Sequence, residues 1–260
     1  MRDFSLVPVT LRVAGRWHTV AELMESLPEG FVSGPVVEDG TPGLAFGVDV
    51  GGERHEGVLF CRENDGEFAE VVRTVARVPL EEREDELLES YSMQVCVTGH
   101  GGSKPRAAAM MSAAATVAGH GGCCVFCDNS CTAGGADMWT SLAGRVRDAW
   151  GDDGDPNEVT DALTFGFVGI VGREDAARTT GMQVLGLPDL MLRFDGIDDA
   201  GDRLIDSMRY VAATDRTFGD GHEILMPEFG LRLVATYAPV DGRDGASMAN
   251  PWGRLELVRG

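Results

Sequence analysis

The chain has 260 residues, of which 43% are apolar, so it is long enough to bury a substantial hydrophobic core. Asp and Glu number 42 against 22 Lys and Arg, which gives a formal net charge of −20. Such a surface repels phosphates and disfavours nucleic acids and anionic membranes as partners. Neither an export signal nor an apolar run of membrane-spanning length is visible. We therefore expect a cytoplasmic protein with reduced cysteines.

The first 80 residues predict a small α+β portion. Its predicted elements are, in chain order, a strand at Val7–Val13, a helix capped by Thr19 at Val20–Leu27, and two hairpin strands at Leu44–Val50 and Gly57–Arg62. Residues 67–77 fit a helix by the spacing of their valines, but β-branching also allows a strand.

The run Leu80–Ser90 is strongly acidic and predicts a linker or an exposed helical connection. We therefore place a boundary after residue 88, which divides the chain into an N-terminal α+β portion, 1–88, and a second domain, 89–260. The same charges are explained equally well if the acidic run lies on the solvent-exposed surface of a single domain.

From Tyr91 onward strands and helices alternate. A strand at Met93–Thr98 leads through a glycine turn to Ser103, which we expect to cap a buried, alanine-rich helix at Ala107–Ala118. The later predicted elements are a strand at Cys123–Asp128, a helix at Asp137–Trp150, a strand at Leu163–Val171, a helix from Asp198 or Asp199 to Ala213, and strands at Glu223–Met226, Leu231–Tyr237 and Arg254–Val258. This order favours an α+β fold in which helices pack on a mixed or antiparallel sheet.

The turn before the alanine-rich helix is a candidate anion-binding site. Backbone N–H groups at the start of a helix bind phosphates and carboxylates, and the single lysine of the chain stands here. The candidate residues are Gly99, His100, Gly101, Gly102, Ser103 and Lys104. The P-loop spacing is absent and Pro105 removes one N–H group, so a tight structural turn is the competing interpretation.

A cysteine-rich segment follows that helix. Its weak metal candidates are His120, Cys124, Cys127 and Cys131, which have side chains of the zinc-binding type. A strand over Cys123–Asp128 places Cys124 and Cys127 on opposite faces, where they cannot bind one ion. We therefore expect buried thiols, without a metal or another cofactor.

The most distinctive segment is Arg178–Phe194. It begins with Arg-Thr-Thr-Gly-Met and continues with Leu-Gly-Leu-Pro-Asp-Leu. These motifs resemble the signature of the uncharacterised bacterial domain-of-unknown-function family 4261. The resemblance covers about residues 91–260 and implies a bacterial cytosolic protein, but it supplies no catalytic residue.

Physical chemistry favours a scaffold role for this family motif, with ligand binding as the alternative. The motif residues are Arg178, Thr180, Gly181, Gly186, Pro188 and Asp189. The two glycines suit positive φ angles or close packing, and the proline suits the start of a strand. Asp189 is expected to accept backbone N–H groups or to pair with Arg178.

No set of residues has the spacing of a catalytic centre. We therefore favour a non-catalytic domain that binds a protein partner, and opposite charge favours a basic one. An immunity-type protein that covers the basic face of a toxin is one form of this hypothesis. The alternatives are an enzyme or small-anion sensor that uses the Gly99–Lys104 turn with Asp128, and a structural subunit marked by an exposed apolar patch.

Overall fold

The computed structural model describes residues 6–151, 154–172, 174–194, 199–214, 221–226, 231–238 and 250–259. Within these ranges the chain forms seven α-helices, one 3₁₀ helix and thirteen strands in two sheets. The predicted α+β class is confirmed. No described helix has both the length and the apolar composition needed to cross a membrane.

One sheet has seven antiparallel strands. They are β1 (Val7–Gly15), β2 (Val32–Glu38), β3 (Thr41–Val50), β4 (Glu53–Glu63), β5 (Met93–Gly101), β6 (Gly122–Cys127) and β7 (Thr132–Gly135). Their order is β2-β3-β4-β5-β1-β6-β7, so β1 lies between two strands that come much later in the chain. The strands on either side of residue 88 therefore share one sheet, and the 1–88 portion does not form a sheet of its own.

The other sheet has six strands. They are β8 (Gly169–Gly172), β9 (Ala176–Thr180), β10 (Asp189–Arg193), β11 (Glu223–Met226), β12 (Leu231–Ala238) and β13 (Arg254–Arg259). The order is β11-β12-β13-β10-β9-β8. Only β10 and β13 run parallel, so this sheet is mixed and the first is antiparallel.

Helices fill the space between the sheets and cover one outer face. They are α1 (Val20–Ser26), α2 (Phe68–Val75), α3 (Glu82–Glu89), α4 (Lys104–Gly119), α5 (Ala136–Ala149), α6 (Pro156–Phe167) and α7 (Ala200–Ala213). The alanine-rich α4 packs on the seven-stranded sheet, α7 packs on β9 and β10, and α5 and α6 connect them. One core therefore extends from Leu11 through Met111 to Leu257. A second cluster, with Phe68, lies under α2 and α3.

The acidic run is folded and packed. Its residues form α3, which buries Leu88 and Glu84 against the sheet. Glu84 accepts the Asp137 N–H at 3.0 Å, so its carboxylate caps the start of α5, where the helix dipole favours negative charge. The linker interpretation is wrong because every third or fourth residue of the run meets the core.

The predicted strand Leu163–Val171 is also wrong over most of its length. Asp155 accepts the Asn157 N–H at 2.9 Å and starts α6, which continues to Phe167. The ring of Phe167 meets that of Trp139 edge-on, with 5.7 Å between the centroids. Packing between helices thus outweighs the strand-like composition of the segment, and only β8 remains extended.

Several local predictions stand with small changes. Within the ambiguous stretch 67–77 the helix α2 covers Phe68–Val75, and Ala76 after it is extended. Ser103 and Asp199 occupy the N-cap positions of α4 and α7, though neither side chain makes a capping bond. Asp198 lies outside the described residues. Strands β2, β7 and β9 were not predicted, because they contain glycine, proline or polar residues that weaken the strand pattern.

Changing Glu84 to Gln should lower the free energy of unfolding by about 1–3 kcal/mol, because the cap of α5 loses its charge and one acceptor oxygen. The matched control is Glu82→Gln, an exposed residue of the same helix, which should change stability by less than about 0.5 kcal/mol. Urea denaturation of both variants measures the difference. Equal losses in the two variants would contradict the capping role.

Candidate functional site

The predicted anion-binding turn packs against the family motif. β5 continues to Gly101, and Gly102 then takes a φ of +94° before α4 begins. The Gly102 N–H donates to the carbonyl oxygen of Val184 at 2.8 Å. Val184 belongs to the 3₁₀ helix Met182–Leu185. One backbone donor of the predicted anion nest is therefore already bonded within the protein.

The side chains grouped with this turn do not gather around one point. His100 is an exposed residue of β5, whereas Lys104 begins α4 on the other side of the turn. Arg12 forms an ion pair with Asp128, in which Nε lies 2.8 Å from Oδ1. Nη2 of Arg12 also donates a hydrogen bond to Oδ2 at 3.0 Å. Asp128 is thus engaged by Arg12, and no bond joins it to His100 or Lys104 among the described residues.

Both motif glycines have the conformation that the sequence predicts. Gly181 has a φ of +94° and Gly186 a φ of +79°. A Cβ atom on Gly181 would collide with the carbonyl oxygen of Phe167, and one on Gly186 with that of Gly102. These glycines therefore allow backbone segments to approach each other, as the scaffold interpretation requires.

Asp189 lies at the centre of a buried polar network. It is 7% exposed, and its Oδ1 accepts the Met182 N–H and the Thr179 hydroxyl, each at 3.3 Å. The Thr179 hydroxyl oxygen in turn accepts the Leu190 N–H at 2.8 Å. The backbone-acceptor role predicted for Asp189 is confirmed.

Burial raises the pKa of Asp189 to about 7, since the interactions with Asn250, Met182, Thr179 and Arg178 offset the lost solvation only in part. A carboxyl group with this pKa is a possible proton donor or acceptor in an open site. Here the carboxyl group is enclosed by backbone and hydroxyl groups, so its hydrogen bonds stabilise the fold and do not reach a substrate. It links the motif to β9 and to the segment before β13.

The sequence analysis did not identify Thr179 and Asn250 as partners of Asp189. Asn250 donates to the carbonyl oxygen of Leu187 at 2.9 Å and accepts the Trp252 N–H at 2.9 Å. It lies 63 residues from Leu187, so no local pattern could reveal the contact. Thr179 lies within the Arg-Thr-Thr-Gly-Met start of the motif, so its nearness in sequence to Gly181 and Asp189 was the available signal.

The weak metal candidates do not converge. Cys124 packs under α2 and α3, whereas Cys127 belongs to the main core on the opposite face, as the predicted alternation requires. His120 is exposed, with its Nδ1 2.7 Å from the carbonyl oxygen of Thr116, and Cys131 is exposed too. No three His, Cys, Asp or Glu side chains in the described ranges are placed to hold a metal ion. Burial raises the pKa of Cys127 to about 11, so it is a neutral thiol at pH 7.

Asp189 should make stability depend on pH. Its pKa is about 7 in the folded chain against an ordinary value of 3.8, so the folded state favours the protonated form. The resulting stabilisation is present at low pH and is lost as pH rises from about 4 through about 7. The unfolding free energy of the wild type minus that of Asp189→Asn should therefore fall as pH rises from 5 to 8.

Urea denaturation across this pH range measures the effect, because other titrating groups cancel in the difference. The control is Asp49→Asn, which changes a carboxyl that is 68% exposed and should show a much smaller trend. A constant difference between wild type and Asp189→Asn from pH 5 to 8 would disprove the assignment.

Gly186 should not tolerate a side chain. Changing it to Ala should cost roughly 2–4 kcal/mol, because the residue has positive φ and the new Cβ meets the carbonyl oxygen of Gly102. Gly201→Ala in α7 is the control, since its Cβ meets no atom within 4 Å and alanine favours helix. Thermal unfolding compares them, and similar melting temperatures would refute the close contact.

No known protein-family model, no curated protein and no solved structure matches this chain. The resemblance of the Arg178–Asp189 motif to family 4261 therefore stays a prediction from the sequence. The geometry of the site itself is consistent with a scaffold. The turn and Gly186 join the two sheets, Gly181 packs on the end of α6, and Asp189 holds the motif to β9 within the six-stranded sheet.

Proposed function

We propose that the chain is a non-catalytic protein-binding domain and that it holds its partner along the free edge of β8. The observation that carries the proposal is the exposure of this strand, in which Ile170 is 41% and Val171 38% exposed. β8 ends the six-stranded sheet, so one side of its backbone faces no neighbouring strand in the described part of the chain. An extended segment can add to such an edge through main-chain hydrogen bonds.

The other sheet edges have features that oppose such pairing. β2 contains Pro35 and ends at Glu38, and β11 presents Glu223. The edge of β7 is partly covered, because Ala76 forms a parallel bridge with Ala133 of this strand. β8 has the sequence Gly-Ile-Val-Gly and carries neither proline nor charge, so it lacks the usual protection of an edge strand.

Charge favours a basic partner. The chain has a formal net charge of −20. Arg173 follows β8 in the sequence. Glu174 and Asp175 come next and are exposed, with Asp175 paired to Arg193. A strongly negative net charge attracts basic side chains, which speeds the encounter with a basic protein. It also opposes pairing of β8 with a second copy of the same acidic chain. We therefore expect the bound segment to carry apolar and basic residues.

The groups that could bind an anion or take part in a reaction support binding of a protein over catalysis, because they are hydrogen-bonded or buried inside the protein. The Gly102 N–H and the Asp189 carboxyl are bonded to backbone, and the Cys127 thiol is buried. If the chain is an immunity-type protein, the partner in this proposal is a toxin with a basic face.

Changing Val171 to Lys should abolish partner binding, because a charged side chain on an edge strand opposes strand addition. The matched control Val37→Lys makes the same change on β2, at a valine that is 73% exposed, and should leave binding intact. Affinity capture from the host cells with wild type and both variants, followed by salt titration of the captured protein, measures this.

Loss of one reproducible basic protein in Val171→Lys alone, together with weaker binding at high salt, supports the proposal. Equal capture by all three proteins would contradict it. Recovery of a second copy of this chain as the bound species would contradict it too, since that outcome favours a structural assembly.

A further inference from the structure

Arg77 extends the edge of the seven-stranded sheet beyond β7. Its backbone N–H donates to the carbonyl oxygen of Ala133 at 3.1 Å, and Ala76 beside it forms the parallel bridge with the same residue. The chain after α2 thus behaves as a short extra strand. This places Arg77 at the boundary between the sheet edge and helix α6.

The guanidinium group of Arg77 has an aromatic neighbour, and no carboxylate of the described residues is placed as its counter-ion. It lies over the ring of Phe165, 5.2 Å from the ring centroid. Its Nε is sealed from solvent and has no hydrogen-bond partner among the described residues. The ion pairs found within the described ranges do not include Arg77, although the chain has 42 acidic residues.

This arrangement leaves a charge without full compensation. Arg77 is partly buried and its Nε is sealed from water, which is costly unless an acceptor replaces the lost hydration; burial accordingly lowers the pKa of Arg77. A cation over an aromatic ring recovers only part of this cost and supplies no hydrogen-bond acceptor. Arginine stays protonated at neutral pH, so the group carries its charge and its unused donors.

The Cys127 thiol, which influences Arg77 electrostatically, cannot serve as a counter-ion. The thiol of Cys127 is close enough to influence Arg77, but burial raises its pKa to about 11 and keeps it neutral. Its side chain is hydrogen-bonded to Ser130, whose hydroxyl lies 2.7 Å from that of Thr132. The groups on this side of Arg77 are thus neutral and polar, in contrast to the aromatic ring of Phe165.

An apolar rim reaches the surface beside this group. Phe165 is 38% exposed, and Val78, the next residue after Arg77, is also exposed. A planar guanidinium binds carboxylate and phosphate groups through paired N–H donors, and an adjacent ring favours an apolar or aromatic portion of the same ligand. The site therefore combines charge recognition with apolar contact.

We infer that Arg77 is the anchor of an anion-binding site at the β7 edge, which takes the carboxylate or phosphate of a small organic ligand whose apolar part lies against Phe165. The Gly99–Lys104 turn is not involved. The site also differs from the protein-binding edge in the ligand it takes, so the two can be tested separately.

The test is thermal unfolding of the purified chain with acetate, benzoate or inorganic phosphate, each against sodium chloride at equal ionic strength. At least one anion should raise the melting temperature of the wild type with saturation. Benzoate above acetate indicates a carboxylate ligand with an apolar part, and phosphate above both indicates a phosphate ligand.

Arg77→Met should remove this anion-dependent shift, because it keeps the length of the side chain and removes the charge. The matched control Arg83→Met changes an exposed arginine of α3 and should retain the shift. Arg77→Lys should bind at least about tenfold more weakly than wild type, since lysine keeps the charge but lacks the planar fork. Val171→Lys should bind the anion as wild type does.

The inference fails if no anion stabilises the wild type beyond the chloride control, or if Arg77→Met and Arg83→Met respond alike. Should Arg77→Met not fold, the Nε–H resonance of Arg77 in the wild type decides the matter. A saturable shift of that resonance with the stabilising anion supports the site, and an unchanged resonance contradicts it.

Discussion

The two sheets depend on one backbone contact, at which the turn between β5 and α4 meets the segment Gly181–Gly186. The Gly102 N–H donates to Val184 across it, and the absence of Cβ atoms on Gly101 and Gly186 lets the main chains approach this closely. β5 belongs to the seven-stranded sheet, and the segment joins β9 to β10 in the other. The contact therefore fixes the position of one sheet on the other, and the helices between them fill the remaining volume.

Buried charge is handled in two different ways in this molecule. Glu84 and Asp189 are both buried carboxyl groups, and each accepts backbone N–H groups that would otherwise lack a partner. These two acids thus stabilise the ends and junctions of elements. Arg77 differs, because its guanidinium has a ring beside it and no acceptor for Nε in the described part of the chain. That contrast is the reason we assign a ligand to Arg77 and a structural role to the two acids.

Part of the candidate site could be predicted from local pattern alone. The strand alternation separated Cys124 from Cys127, and the positions of Gly181 and Gly186 indicated positive φ, both as observed. The environment of Arg77 could not be predicted in this way. It depends on the bridge between Ala76 and Ala133, which joins residues far apart in sequence, and the local pattern only identified Arg77 as the end of an ambiguous helix or strand.

By itself the sequence determined the acidic character of the protein, its α+β class, the positions of most helices and the conformation of the motif glycines, because these follow from composition, short periodicities and the steric demands of single residues. Only the tertiary structure decided that β1 lies between β5 and β6, that the acidic run packs as α3, that residues 163–167 are helical, and that β8 ends its sheet within the described ranges. These features depend on which distant segments meet, and burial in the shared core outweighs local preference wherever the two disagree.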